Sequence, residues 1–241
     1  MRIPLARAGA REIFLMTLIV GVPAAASLVA AMSGWTWLWP VGIVLGLAWV
    51  WGVAFFRDPE RAVPSESGIL VSPADGVVVE TVDLDQHPDV GGPSRRISIF
   101  LSVLDVHINR SPCDGVVQLM RYEPGRFMDA RNPDSGRLNE ANTIVIEPDD
   151  PADGPVVVRQ IAGKIARRIV CDLKVGDRVR TGQRIGMIKF GSRTELIFPA
   201  NSSFRPSVRM GDKARGAVTI MARRREPQPE QADNEPIGVR A

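Results

Sequence analysis

Few side chains in this sequence could carry proton transfer or nucleophilic chemistry. The chain has only two histidines, His87 and His107, and two cysteines, Cys113 and Cys171. A histidine with a carboxylate partner can move protons near neutral pH, so both histidines are candidates. His87 lies in the acidic, turn-rich stretch Asp85–Asp89, which favours a surface loop. Two histidines are too few for a metal site built on several histidine ligands. The cysteines are predicted to be small buried residues in a reducing compartment.

A glycine precedes a serine at Gly191-Ser192, between two stretches predicted to be strands, Arg184–Phe190 and Glu195–Phe198. Glycine has no Cβ, so the main chain can bend sharply there and its carbonyl can be approached closely. An adjacent serine hydroxyl is a candidate nucleophile for that carbonyl. Taken alone, however, a Gly-Ser pair between strands is more often an ordinary turn.

Two apolar stretches near the N-terminus are long enough to cross a membrane. Ile13–Met32 has about 20 residues without a charge and Trp35–Phe56 has about 22, and a helix of about 20 residues spans the hydrocarbon core. Arginines flank both outer ends, which predicts a hairpin with residues 1–12 and the following domain in the cytoplasm. A cleaved signal sequence and a hairpin that lies in one leaflet are the alternatives.

Residues 57–222 are predicted to form one mainly β domain. Short apolar runs alternate there with Gly, Pro, Asp and Asn, without a clean helical period. The predicted fold class is therefore a β-rich α+β domain with barrel-sandwich-like elements, preceded by a two-helix membrane hairpin at 13–56. Residues 223–241 have almost no large apolar residues, which predicts a disordered tail. The net charge of +3 fits an anionic membrane surface, whereas the motifs of nucleic-acid binding are missing from the sequence.

Five short motifs follow one another along this domain. They are Arg57-Asp58-Pro59-Glu60-Arg61, Ser72-Pro73-Ala74-Asp75-Gly76, the LDVHINRSP run of Leu104–Pro112, Asn139-Glu140 after Gly125-Arg126-Phe127, and Phe190-Gly191-Ser192. Each motif is weak alone. Together and in this order they resemble the phosphatidylserine decarboxylase family, specifically its short bacterial and archaeal branch.

The resemblance implies a proenzyme that cuts its own chain between Gly191 and Ser192. Attack of the Ser192 hydroxyl on the Gly191 carbonyl, β-elimination and loss of ammonia would leave a β chain, 1–191, and an α chain, 192–241, that begins with a pyruvoyl group. The pyruvoyl ketone would form a Schiff base with the amine of phosphatidylserine and accept electrons as CO2 leaves. The resemblance implies no metal and no pyridoxal phosphate. The two chains are expected to stay together as a heterodimer at the cell membrane. Whether these heterodimers form higher oligomers is left open by the resemblance.

Roles for three further residues follow from the same resemblance. His107 would transfer protons, and Asp75 would orient it. The longer form of the family has a second histidine where this chain has Arg110, and an arginine cannot act as an ordinary base. Arg110 is therefore expected to hold the substrate phosphate or carboxylate, or to form an ion pair with Asp105 or Asp114.

The hairpin would hold the domain at the bilayer, where a lipid headgroup can be reached without extraction of the whole lipid. Phe127 is a candidate for an apolar lip at the membrane that contacts the substrate. An ordinary core position is an equally good interpretation of Phe127.

Other functions stay open. The stretches 72–77 and 174–186 also resemble the two halves of a biotinyl or lipoyl barrel-sandwich domain, which would make the chain a carrier or adaptor module, although no lysine-bearing hairpin tip is found. A structural membrane protein whose β domain binds partners is a second alternative. A pyruvoyl enzyme with another amine substrate is a third.

Overall fold

The computed structural model describes residues 4–132, 134–164, 168–189 and 191–225. Its N-terminal part is a pair of helices, Arg7–Met32 and Thr36–Phe55, both long and apolar enough by length and composition to cross a membrane. The Trp49 indole donates a hydrogen bond to Thr17 Oγ1 across the pair at 3.0 Å. Both helices leave most of their large apolar side chains exposed.

The first helix starts earlier than the charge-free stretch predicts, at Arg7 instead of residue 13. A 3-10 turn, Arg7–Gly9, opens it, and a π-helical turn, Thr17–Gly21, widens it in the middle. The widening lies directly before Pro23, whose ring removes one main-chain donor from the helix. Shorter helical turns occur later in the chain at Ser135–Leu138 and Pro151–Asp153.

Fourteen strands follow the hairpin in the described part of the chain. They are β1 (Ile69–Val71), β2 (Gly76–His87), β3 (Gly92–Leu101), β4 (Ile108–Arg110), β5 (Gly115–Glu123), β6 (Ala141–Pro148), β7 (Val156–Ile161), β8 (Ile169–Val170), β9 (Arg178–Val179), β10 (Arg184–Ile188), β11 (Ser192–Pro199), β12 (Phe204–Pro206), β13 (Lys213–Ala214) and β14 (Ile220–Arg224). The predicted mainly β fold class with two preceding apolar helices is confirmed.

The strands form three sheets. The largest has the order β13-β2-β3-β11-β7-β6-β5-β9, and the smaller ones have the orders β1-β14-β12 and β4-β10-β8. The apolar runs of β3, β6, β7 and β11 supply much of the main core, which includes Ile99, Ile146, Val158 and Leu196. Such continuous runs are typical of strands that are covered on both faces.

The passage from β10 to β11 carries the Gly191-Ser192 pair. β10 pairs with β4 and β8 in a small sheet, whereas β11 lies between β3 and β7 in the large sheet. The chain therefore changes sheets between Ile188 and Ser192, and Gly191 lies at this crossing. Every residue of β11 is buried.

Two sequence predictions need correction here. The tail does not begin at residue 223, because β14 runs to Arg224 and pairs with β12; residues 226–241 lie outside the described residues. His87 is not in a surface loop. It ends β2 and is half-buried, and its Nδ1 accepts a hydrogen bond from the Asp89 amide at 3.3 Å.

Candidate active site

Gly191 and Ser192 are placed in an unusual local conformation. Gly191 has φ of +59°, in the left-handed region that glycine adopts with little cost and other residues avoid. Ser192 begins β11 opposite Leu101 and is completely buried. Its Oγ has no hydrogen-bond partner within the described residues. A buried hydroxyl without a partner costs about 1–3 kcal/mol, so its presence in the fold calls for an explanation.

His107 is the side chain that reaches Gly191, at the peptide bond before the Gly191-Ser192 bond. It follows the turn after β3 and is fully buried. Its Nε2 lies 3.2 Å from the Gly191 amide nitrogen, and its Nδ1 lies 2.9 Å from the Asp105 carbonyl oxygen. An amide can only donate and a carbonyl can only accept, so Nδ1 carries the proton and Nε2 presents its lone pair to Gly191.

The imidazole is therefore a neutral base. Burial lowers the pKa of His107 from 6.5 to about 4, against the opposing effects of the Asp105 carbonyl and carboxylate. The Asp105 carboxylate is itself used to fix the turn, because its Oδ2 accepts hydrogen bonds from the Ser102 amide and hydroxyl at 2.8 and 2.7 Å. At neutral pH a histidine with this pKa is unprotonated and can accept a proton.

Asp75 does not orient His107 in this structure, which corrects the role predicted for Asp75. Its Oδ2 accepts a hydrogen bond from Arg61 at 2.6 Å, and its Oδ1 accepts one from the Gly216 amide at 2.7 Å. Burial raises the pKa of Asp75, against the lowering effects of those two donors. The main-chain carbonyl of Asp105 is instead the partner of the imidazole Nδ1.

Arg110 is held by three hydrogen bonds inside the protein. It ends β4 and is buried. Its guanidinium donates to Asp58 at 2.9 Å, to the Pro59 carbonyl at 3.0 Å and to the Gly182 carbonyl at 3.0 Å. A structural ion pair is thus the better interpretation, but with Asp58 as the partner instead of the predicted Asp105 or Asp114. The substrate-binding role of Arg110 is not supported.

Phe127 keeps 40% of its surface exposed. It belongs to the segment that leads to the helical turn Ser135–Leu138. This exposure is compatible with an apolar lip and argues against an ordinary core position, so its contact with lipid stays a prediction.

Gly163 is a site residue that the sequence analysis missed. A Cβ added there would overlap the Gly191 carbonyl oxygen and would lie 3.4 Å from the Ala130 Cβ. The neighbouring Ala162 carbonyl accepts a hydrogen bond from the Asn139 side-chain amide at 2.7 Å. The Asn139-Glu140 motif therefore holds in place the Ala162–Gly163 segment that contacts the Gly191 carbonyl. No local sequence pattern marks Gly163, because its role depends on a tertiary contact: without a Cβ it leaves room for the Gly191 carbonyl.

A chain of buried amides lines the same face of β11 as Ser192. Thr194, two residues further along the strand, points to the same side and its Oγ1 accepts a hydrogen bond from Asn109 at 2.9 Å. Gln160 donates to Asn109 at 2.9 Å, and Asn142 donates to Gln160 at 2.8 Å. These bonds connect β4, β6, β7 and β11 and make the surroundings of Ser192 polar and rigid.

These features place a buried serine hydroxyl next to a left-handed glycine whose amide contacts a neutral histidine, an arrangement that fits an enzyme site. The chain belongs to the phosphatidylserine decarboxylase family, whose sequence model matches residues 50–222. The predicted recognition is confirmed, and with it the assignment to a decarboxylase. The biotinyl or lipoyl carrier is not favoured.

Several relatives carry the printed name phosphatidylserine decarboxylase proenzyme. That of Solidesulfovibrio magneticus is 43% identical over 206 residues, which cover 86% of this chain and 92% of the relative. That of Rhodopirellula baltica is 39% identical over 221 residues, which cover 92% and 88%. That of Symbiobacterium thermophilum is 44% identical over 185 residues, which cover 77% and 84%. The similarity therefore includes most of the chain, with the β domain and part of the hairpin.

Exchange of Gly163 for alanine is expected to slow self-cleavage by about 10- to 100-fold, because a small overpacking of this kind costs about 1–3 kcal/mol. The added methyl group would push the Gly191 carbonyl out of its position. The cleaved fraction, followed over time on a denaturing gel, measures the effect. Gly92→Ala is the control, since a Cβ at Gly92 meets nothing within 4 Å. Cleavage of Gly163→Ala at the wild-type rate would contradict the assigned role.

Proposed function

We propose that the chain decarboxylates phosphatidylserine to phosphatidylethanolamine with a pyruvoyl group made from its own Ser192. Cleavage between Gly191 and Ser192 would give the β chain 1–191 and the α chain 192–241. The observation that supports this most is the arrangement at the crossing of the two sheets: a left-handed Gly191, a buried and unpartnered Ser192 hydroxyl, and the His107 lone pair directed at the Gly191 amide, in the peptide bond next to the one that is cut.

The cleavage step follows from these groups. The Ser192 Oγ attacks the Gly191 carbonyl carbon while its proton passes to a base, and His107 Nε2 is the neutral base at hand. The acyl group moves from the Ser192 nitrogen to its oxygen, which gives an ester and frees the amine. Loss of the Ser192 α-proton then expels the Gly191 carboxylate and leaves dehydroalanine. Water converts it to a ketone and ammonia leaves.

The surroundings of Ser192 fit a pyruvoyl group there. Its first atoms would remain among Gly163, Thr194 and the buried amides, because β11 stays hydrogen-bonded between β3 and β7 after the cut. The same pairing would hold the α chain to the β chain as a heterodimer, assisted by β14 of the α chain, which pairs with β1. When present, the ketone supplies an electron sink for the decarboxylation of a bound amine. His107 would hold the proton that the product needs.

The hairpin would place this site at a membrane. Two apolar helices with exposed side chains, among them Ile19 at 70% and Leu47 at 66%, support an embedded pair, and Trp35 and Trp37 at the turn fit an interface. The arginines on both outer flanks favour a cytoplasmic position for the β domain. Anionic lipid would then be both the surface and the source of substrate.

One experiment tests the proposal as a whole. The wild-type chain, purified from membranes, is expected to yield two fragments by intact mass, the smaller one beginning at residue 192 and blocked to N-terminal sequencing. The same preparation is expected to release CO2 from phosphatidylserine vesicles and none from free serine. An intact or lipoylated chain, near 26.3 kDa without added lipoate, would support a carrier. CO2 from free serine alone would remove the lipid substrate.

A further inference from the structure

The second hairpin helix ends directly on the candidate catalytic histidine. Its last residue is Phe55, and the Phe55 ring centroid lies 4.4 Å from that of His107, with 39° between the ring planes. Phe55 is only 2% exposed. Phe56 supports it from the side, with an edge-to-face contact at 5.1 Å. The membrane hairpin therefore supplies part of the wall around His107.

The segment that follows the helix is tied to both sides of the histidine. Before His107 in the chain, the Leu104 carbonyl accepts a hydrogen bond from Arg57. After it, Arg110 forms a buried ion pair with Asp58 at 2.9 Å. These two ties hold the end of the helix and the loop that carries His107 as one unit.

We propose that Phe55 is a positioning residue, which holds the His107 ring against the Gly191 amide and keeps water away from it. The inference rests on the proposed function of His107 and deepens it. The hairpin would then do more than anchor the domain, since its last turn would set the protonation state of the site.

The contacts of the imidazole give Phe55 a distinct task, because its ring lies against the imidazole ring. The two ring nitrogens are fixed by Asp105 and Gly191, but hydrogen bonds at the ring edge do not shield its face. Two charged groups among the described residues act on the pKa of His107: Asp105, on its own loop, raises it, and Arg57, beyond the helix end, lowers it. Burial of the imidazole is the largest cause of the low pKa. Removal of the aromatic ring would admit water and weaken that cause.

The pKa of His107 can be measured directly, because the chain has only two histidines. The uncut Ser192→Ala chain, labelled at histidine and held in lipid nanodiscs, gives two NMR signals, and His87→Gln assigns them. We expect Phe55→Ala to raise the pKa of His107 from about 4 towards 6.5, and Phe55→Leu to raise it less. Phe204→Ala is the matched control, since Phe204 is also 2% exposed but packs on Phe198. An unchanged pKa in both Phe55 variants would overturn the inference.

A second measurement separates positioning from simple loss of stability. Chains that keep Ser192 are made by cell-free synthesis into nanodiscs, and the rate of cleavage is measured after a jump to the chosen pH. A histidine with an ordinary pKa is about one-tenth neutral near pH 5.5, so Phe55→Ala should cleave about tenfold slower there than near pH 8. The wild type and Phe204→Ala should show no such difference, and Phe55→Trp should restore the wild-type profile. A flat profile for Phe55→Ala would contradict the inference. Failure of the wild type to cleave would instead refute the proposed function, with the NMR result unaffected.

Discussion

Exchange of Ser192 for alanine is expected to abolish both chain cleavage and phosphatidylserine decarboxylation. Without the hydroxyl, nothing is in place to attack the Gly191 carbonyl, and no pyruvoyl group can form. The variant should still fold, because the Ser192 Oγ has no hydrogen-bond partner to lose within the described residues. A denaturing gel should show one uncut band near 26.3 kDa, and labelled phosphatidylserine should release no CO2 above background.

Ser94→Ala is a close control for this experiment. Ser94 is also completely buried, its Oγ also lacks a partner in the part of the chain that the structure describes, and it lies on β3 opposite the far end of β11. It should be cut and active like the wild type. A cleaved and active Ser192→Ala chain would exclude Ser192 as the source of the electrophile.

The hairpin and the β domain could be predicted from the sequence, because apolar length and short apolar runs are local properties. The start of the first helix could not. Glu12 and Arg11 interrupt the apolar run, which places the predicted boundary after them. In the structure Glu12 is neutralised by Lys189, 177 residues away in the chain, at 2.5 Å. Only the tertiary fold brings that partner to the helix.

The ion-pair partners of the predicted site residues could not be predicted either, because tertiary contacts decide them. His107 contacts the Gly191 amide, but Asp75 pairs with Arg61 and Arg110 with Asp58. The Arg57–Arg61 motif therefore supplies counter-ions for the two residues expected to act in chemistry. A motif shows which residues occur together along a chain and leaves open which of them touch.

The tail boundary was missed for a related reason. Arg223 and Arg224 look like the start of a solvated basic run, yet both lie in β14. Arg223 pairs with Glu66, and Arg224 pairs with Asp153 at 2.7 Å. Long charged side chains can occupy an edge of a sheet when acidic partners lie across from them, and composition alone does not reveal those partners.

Exchange of His107 for alanine is expected to lower decarboxylation by about 10²- to 10⁴-fold, the usual contribution of a general acid or base. Cleavage is expected to slow as well, since His107 Nε2 is the base that contacts the Gly191 amide. The two reactions must be measured separately. The gel gives the cleaved fraction, and decarboxylation is then expressed per pyruvoyl group, counted by reaction with a hydrazine. His87→Ala should be normal in both assays, because its Nδ1 is bonded to the nearby Asp89 amide.

The sizes of the two losses test whether one histidine serves both reactions. Arg110 cannot share this task, because it is held by Asp58 and two carbonyls and has no free electron pair. Among the described residues, His107 is thus the base found in contact with the Gly191 amide, next to the bond that is cut. Because the same Nε2 would receive the Ser192 proton and later hold the product's proton, both rates should fall in the one variant. Normal cleavage with lost decarboxylation would show that self-cleavage uses a different base.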